Sequence, residues 1–200
     1  MLNKMPTHLF NIVFAIIFIS ACSVTQQGIE QKTDSKSPVH SAAYKNALSA
    51  MKNSDLKQAQ SLLQEVINQQ PNFSNAHVNL GIVFLRKNSL NEAENSFLHA
   101  LRINPQNIFA LNQLGILHRQ QGDFSAAKTS YQKAININSN YANVHLNLGI
   151  LYDLYFYDLP NAIKHYNRYQ ALTKNTNKQV EKWIIDLERR HKKSLEPKSK

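Results

Sequence analysis

The chain has few of the residues that crosslink or interrupt small proteins, with one Cys, five Gly and six Pro among 200 residues. A single cysteine excludes an internal disulfide and a zinc site built from several cysteines. The sequence also has no glycine-rich phosphate loop, no His-Glu-x-x-His motif and no acidic calcium-binding loop. We therefore expect a non-catalytic protein without a metal or a dissociable cofactor.

The apolar run near the N-terminus is too short to cross a membrane. It begins at Leu9, ends at Ile19 and is interrupted only by Asn11. A spanning helix needs roughly 20 apolar residues. The run follows a short polar segment containing Lys4 and precedes small residues, which is typical of a secretory signal. We predict a signal peptide over residues 1–21.

Cys22 directly follows the small residues of this signal, in the segment Ile19-Ser20-Ala21-Cys22. The segment resembles the lipobox of bacterial lipoproteins. The resemblance implies that cleavage makes Cys22 the first mature residue, and that its thiol and its new amino group carry acyl chains of the palmitate type. Ser23 in place of Asp implies, by the same resemblance, an outer-membrane protein that faces the periplasm. The competing interpretation is an uncleaved anchor in which Cys22 has no role.

Basic residues outnumber acidic ones, 23 Lys and Arg against 13 Asp and Glu, for a formal net charge of +10. Such an excess can indicate nucleic acid, an acidic protein or an anionic membrane surface as the partner. The charge is densest between Lys182 and Lys200. Because the signal places the protein outside the cytoplasm, we expect no nucleic-acid partner.

A period of 34 residues dominates the rest of the sequence. The dipeptide Leu-Gly recurs at 80–81, 114–115 and 148–149, and small and aromatic residues follow it in register. These are Ala93, Ala127 and Ala162, then Phe97, Tyr131 and Tyr166. A fixed period of this kind is typical of stacked helical hairpins, since each hairpin buries its apolar side only against a neighbour. The fourth copy carries one extra residue between Asp153 and Asn161.

These residues resemble the tetratricopeptide repeat family over roughly residues 40–175. The resemblance implies an all-α solenoid, a domain of residues 39–175 made of about four helix–turn–helix repeats. We expect the repeats at about 40–73, 74–107, 108–141 and 142–175, the first of them degenerate. Residues 22–38 are polar and without a period, so we predict a flexible tether that carries the lipidated cysteine.

A one-sided apolar pattern continues after the last repeat. Val180, Trp183, Ile184 and Leu187 recur at helical spacing. Terminal repeats need a cap with a polar outer side, so we predict a capping helix within residues 176–193, anchored by Trp183. A partner-binding helix is the alternative. Residues 194–200 are predicted to be a basic, disordered tail.

The same resemblance implies a role for the first helix of each hairpin, which in the family lines a concave groove that holds a peptide or a partner helix. Mapping the family's groove positions onto this chain gives amides and cations that could bind a peptide backbone or a carboxylate. The set is Lys45, Lys52, Asn75, Asn79, Arg86, Asn112, Arg119, Asn143 and Asn147. The alternative is that these side chains are merely hydrated.

Two further groups of residues are candidate functional sites. The stretch Leu151 to Leu159 holds four aromatic residues and is a second candidate surface. Eight histidines suggest a metal site, but His77 and His145 share one repeat position, and the repeat register explains them without a metal.

The resemblance to lipidated repeat proteins implies an interaction scaffold or adaptor in an envelope complex. Similar lipoproteins serve pilus biogenesis, cell-wall remodelling or TonB-type transport. The partners expected are a protein or peptide in the groove and the membrane at Cys22. The alternative function is direct binding of an anionic cell-wall or lipid surface through the basic tail between Lys182 and Lys200.

Overall fold

A computed structural model describes residues 41–196 of the chain. The predicted signal peptide, Cys22, the tether and residues 197–200 lie outside the described residues. The part described contains nine α-helices and no strand. They are α1 (Ala42–Lys52), α2 (Leu56–Gln69), α3 (Ser74–Arg86), α4 (Leu90–Ile103), α5 (Ile108–Gln121), α6 (Phe124–Ile137), α7 (Ala142–Leu151), α8 (Leu159–Leu172) and α9 (Lys178–Leu195). Between Ser41 and Glu196, none of these helices has the length and apolar character of a membrane span.

The first eight helices form four hairpins that stack in sequence order. In each hairpin an odd-numbered helix packs along the next even-numbered one, and each even-numbered helix also packs on the hairpin that follows. The ninth helix packs on α8 and closes the stack. This arrangement confirms the predicted fold class, an α-solenoid of four hairpins with a C-terminal capping helix.

Every hairpin turns through one residue in the left-handed region, followed by the N-cap residue of the second helix. The left-handed residues are Ser54, Asn88, Gly122 and Tyr157, with φ between 53° and 85°. Asp55, Asp123 and Asp158 come next in three of the turns. Each of these carboxylates accepts a hydrogen bond from the backbone N–H three residues later, at 2.8–3.1 Å. These carboxylates therefore cap the second helices and fix the residue at which each helix begins.

The extra residue of the fourth repeat is taken up by a π-helical turn, Tyr152–Phe156. The Asp123 N–H bonds to the carbonyl of His118, five residues back, at 2.9 Å, whereas the Asp158 N–H reaches six residues back to Tyr152, also at 2.9 Å. His118 and Tyr152 hold the same repeat position. The wider turn thus absorbs the insertion that the sequence placed in this region.

A glycine facing an aromatic ring sets the spacing within the last three hairpins. Gly115 on α5 lies against the ring of Tyr131 on α6, which is fully buried. Gly81 faces Phe97 and Gly149 faces Tyr166 in the same way. The first hairpin places Ala47 and Leu63 at these two positions. In the first hairpin the Ala47 methyl group is therefore paired with Leu63, which is smaller than an aromatic residue.

The capping helix is held by residues spaced along one side of α9. Val180 and Leu187 are each 1% exposed and pack with Tyr166. Trp183 is only partly buried, with its ring centroid 5.5 Å from that of Tyr166. Val180 and Leu187 therefore anchor the capping helix, and the indole of Trp183 packs beside Tyr166 at the edge of this cluster.

We expect Gly115→Ala to lower the free energy of unfolding by about 1–3 kcal/mol, because the new methyl group would overlap the Tyr131 ring. Adding Tyr131→Leu gives the Ala–Leu pair of the first hairpin. The double variant should therefore lose less free energy of unfolding than the sum of the losses in the two single variants. Urea unfolding followed by circular dichroism measures all three variants. Strict additivity of the two changes would contradict this account of the contact.

Candidate functional site

The odd-numbered helices line the inner face of the stack. α3 contacts α5, and α5 contacts α7, while no similarly packed pair occurs among the even-numbered helices of the described part. A stack whose first helices approach each other more closely than its second helices must curve with the first helices inside. All nine predicted groove residues lie on α1, α3, α5 and α7, and we call the surface of these helices the inner face.

Two of the predicted groove asparagines link neighbouring hairpins. The Asn79 side-chain amide donates to the Tyr44 hydroxyl at 2.7 Å. The Asn147 amide donates to the Asn112 side-chain oxygen at 2.8 Å. Each pair is separated by 35 residues, so both bonds occupy the same place in the repeat. We call this recurring contact a rung. The hydrogen bonds of a rung join neighbouring hairpins and stabilise the fold.

Other groove candidates are also engaged within the protein. The Asn75 side-chain oxygen accepts from the Asn107 amide at 3.0 Å, and the Arg86 guanidinium donates to the carbonyl of Met51 at 2.7 Å. Arg119 is half-buried and lies close to the hydroxyl of Tyr131, whose pKa burial raises to about 12.

Four of the predicted groove residues are exposed on the inner face, and one is almost wholly covered. The exposed residues are Lys45, Lys52, Arg86 and Asn143. Asn112 is only 3% exposed, which leaves a ligand little of it to contact. The exposed polar groups of the set therefore lie on α1, α3 and α7, and Arg86 already donates to the carbonyl of Met51.

The rung between the second and third hairpins is missing. Val78 takes the place of Tyr44 and Asn112, and Gln113 takes the place of Asn79 and Asn147. Valine has no polar group, and among the described residues the Gln113 side chain has no hydrogen-bond partner. A cavity of about 260 Å³ opens here. Its lining residues are Tyr44, Asn75, Val78, Asn79, Ile82, Phe109 and Gln113.

Sequence reasoning missed the apolar part of this cavity. Phe109, which is 50% exposed, was not among the predicted residues, and neither were Val78 and Ile82. The sequence does contain a sign of the cavity, because a valine and a glutamine occupy positions at which the other repeats have paired polar residues.

The inner face is electropositive. The four helices that line it contain Lys45, Lys52, Arg86 and Arg119 and no acidic residue. Asp153 in the π-helical turn, two residues after α7, lies 3.5 Å from Arg190. Burial raises the pKa of this carboxyl and Arg190 partly offsets the effect. Acidic groups would therefore be attracted to the inner face.

The tyrosine-rich turn divides into packed and exposed side chains. The Tyr155 ring stacks on Phe124 with the centroids 4.2 Å apart, and the Lys128 ammonium lies 5.0 Å from the centre of the Phe156 ring. Leu154 and Tyr157 are 55% and 75% exposed. Part of this predicted surface is thus committed to packing.

Histidines at the equivalent position bind the linkers between hairpins. Nε2 of His77 lies 2.9 Å from the carbonyl of Pro71, and Nε2 of His145 lies 3.1 Å from that of Ser139. Because a carbonyl only accepts, each Nε2 carries hydrogen. Within residues 41–196, no group of three His, Cys, Asp or Glu side chains is placed to hold a metal ion.

His145 also pairs with His165, and the two Nδ1 atoms are 3.1 Å apart. Since neutral His145 has its hydrogen on Nε2, its Nδ1 accepts and His165 donates. Burial lowers the pKa of His165 to about 4, with His145 and Lys164 adding to the effect, and burial also lowers the pKa of His145. Both rings are therefore neutral at pH 7.

Family profiles identify the repeats. Three profiles, described as TPR repeat or Tetratricopeptide repeat, match residues 44–108, 96–129 and 117–153. The chain belongs to the tetratricopeptide repeat family. No curated protein sequence matches the chain.

Solved structures of repeat proteins share the fold. Pseudomonas aeruginosa PilF is 21% identical with a TM-score of 0.69, over 76% of this chain and 68% of PilF. TTC0263, a thermophilic TPR protein of Thermus thermophilus, is 17% identical with a TM-score of 0.66, over 77% of this chain and 82% of its own. A chain of the APC/C hetero-tetramer Cut9–Hcn1 is 20% identical with a TM-score of 0.64, over 72% of this chain and 29% of its own.

We expect stability to fall as the pH drops from 6.5 toward 4. The unfolded chain protonates its histidines near pH 6.5, whereas folded His165 resists protonation to about pH 4, so acid favours unfolding. The contribution of His165 is about 1–2 kcal/mol after allowance for its partial exposure. His165→Gln keeps an amide donor for His145 and should flatten the pH dependence seen in urea unfolding.

The control for this experiment is His191→Gln, near the end of α9. It should leave the pH dependence of unfolding close to that of the unaltered protein. An unchanged slope in His165→Gln would show that the histidine pair does not cause the acid sensitivity.

Proposed function

We propose that this protein is a non-catalytic interaction scaffold, anchored by a lipid on Cys22 to the bacterial outer membrane and facing the periplasm. The inner face carries the first part of this proposal. It combines exposed cations, an unpaired amide and an apolar cavity on a fold whose family binds protein partners in its concave groove.

The comparisons support a role in assembly. One structural neighbour is a chain of the APC/C hetero-tetramer Cut9–Hcn1. We propose that this chain likewise holds a partner, as an adaptor in an envelope complex for pilus biogenesis, cell-wall remodelling or TonB-type transport. The groups brought together on the inner face are amides, cations and apolar side chains, which suit binding.

The membrane part of the proposal is supported by the sequence. The apolar run from Leu9 to Ile19 and the lipobox-like segment ending at Cys22 suit export and lipidation. Two or three acyl chains give stable attachment, since each buried methylene contributes about 0.8 kcal/mol.

We expect cells that express the protein to incorporate alkyne-palmitate into it, and Cys22→Ser to abolish both the labelling and recovery in the membrane fraction. Because Cys22 is the only cysteine, Ser23→Ala is a suitable control and should keep both. Labelling that persists in Cys22→Ser would refute the anchor and leave the scaffold proposal intact.

We expect a photo-crosslinking amino acid at position 109 on the inner face to capture a partner protein in intact cells. The same amino acid at Lys133, exposed on the outer helix α6, should capture far less. Mass spectrometry of the adducts identifies the partner. Equal capture at both positions would contradict binding at the inner face.

The alternative function, surface binding by the basic tail, predicts a different result. Removing residues 192–200, which hold four of the seven Lys and Arg between Lys182 and Lys200, should then sharply reduce recovery with isolated cell walls or anionic vesicles, and the binding should weaken steeply with salt. Capture at position 109 would be unaffected by that truncation if the inner face is the binding surface.

A further inference from the structure

The missing rung between the second and third hairpins suggests what the inner face recognises. We propose that the cavity beside Gln113 receives one bulky apolar side chain from an extended, acidic segment of a partner protein. This inference rests on the proposed function of the inner face and specifies the chemistry of its partner.

Gln113 at the interrupted rung carries a side-chain amide that has no hydrogen-bond partner among the described residues. At the other two rungs the amide is satisfied by Tyr44 or Asn112, across 35 residues. At the middle rung Val78 cannot accept, so Gln113 keeps a donor and an acceptor for a ligand. An extended backbone presents both complementary groups at its N–H and C=O. One peptide unit of a bound segment can therefore complete the interrupted rung.

The size and the lining of the cavity suit a single apolar side chain. About 260 Å³ is smaller than the ~300–1,000 Å³ of typical small-molecule sites, which favours a single side chain over a cofactor. Val78 is 3% exposed and forms the floor. Ile82 and the half-exposed Phe109 form apolar walls. A leucine-, methionine- or phenylalanine-type residue would cover this surface.

The charge around the cavity specifies the flanking residues. The inner helices carry four cations and no acidic residue. Lys45 follows Tyr44, which lines the cavity, and Lys52 lies two turns further along α1, about 10 Å away. Both are exposed. Acidic residues of the partner on either side of the apolar one would be attracted by these ammonium groups.

The occupant is inferred to be a partner and not the chain's own N-terminal segment. Residues 22–38 contain two acids, Glu30 and Asp34, and two lysines, Lys32 and Lys36. Their charges cancel, so this segment lacks the complementary charge that the inner face requires.

A random library of 12-residue peptides displayed on phage, selected against the full chain purified in detergent, tests the inference. The enriched peptides should contain one bulky apolar residue flanked by Asp or Glu. A synthetic peptide with the enriched sequence, labelled with a fluorophore, is then titrated by fluorescence anisotropy against the variants.

Lys45→Glu and Lys52→Glu should each weaken binding by about fivefold, with a smaller effect at high salt. Phe109→Ala and Gln113→Leu should weaken binding by about tenfold or more, and their circular dichroism should match the unaltered protein. Lys133→Glu makes the same charge change on the outer helix α6 and should bind normally.

No enrichment, enrichment without acidic residues, or normal binding by Phe109→Ala and Gln113→Leu would overturn the inference. If position 109 still captures a protein in cells, the scaffold function survives and only the assigned chemistry fails. If position 109 captures no more than Lys133, the proposed function itself fails.

Discussion

The contact between a glycine and an aromatic ring fixes the geometry on which the rest of the stack depends. Gly81, Gly115 and Gly149 have no Cβ, so the rings of Phe97, Tyr131 and Tyr166 lie directly on the backbone of the first helix. The two helices of each hairpin are thereby held at one close spacing. Three hairpins share this spacing, and the first places Ala47 and Leu63 at the same two positions. The hairpins therefore stack with similar geometry, and residues 35 positions apart form rungs across them.

The residue four positions after each glycine matches the polarity of the buried ring. Four residues after each glycine, the chain places Leu85 with Phe97, Arg119 with Tyr131 and Asp153 with Tyr166. Each tyrosine hydroxyl therefore meets a charged neighbour, while the phenylalanine meets a leucine. Asp153 in turn draws Arg190 of the capping helix to within 3.5 Å.

The sequence could predict the fold because a 34-residue period depends only on residue types and spacing. The period of Val180, Ile184 and Leu187 likewise indicated the capping helix. The roles of Asn79 and Asn147 could not be predicted in this way. Whether an amide faces a ligand or a neighbouring helix depends on distances near 3 Å between residues 35 positions apart. The cavity at Gln113 is visible only once those bonds are known. The anchor at Cys22 and its location stay predictions, because the described residues begin at Ser41.

The fourth hairpin shows how strictly the stack maintains its register. One inserted residue in a continuous α-helix would rotate everything after it by about 100°. Ala162 and Tyr166 would then leave the core, where both are at most 1% exposed. The π-helical turn prevents this and still leaves one left-handed residue in the hairpin turn, as in the other three hairpins. Here that residue is Tyr157 at φ 53°, which costs about 1–2 kcal/mol for a non-glycine residue. Burying Tyr166 outweighs that cost. The regular inner face therefore ends at Leu151, and a bound segment that follows its repeat must lie along α1, α3, α5 and α7.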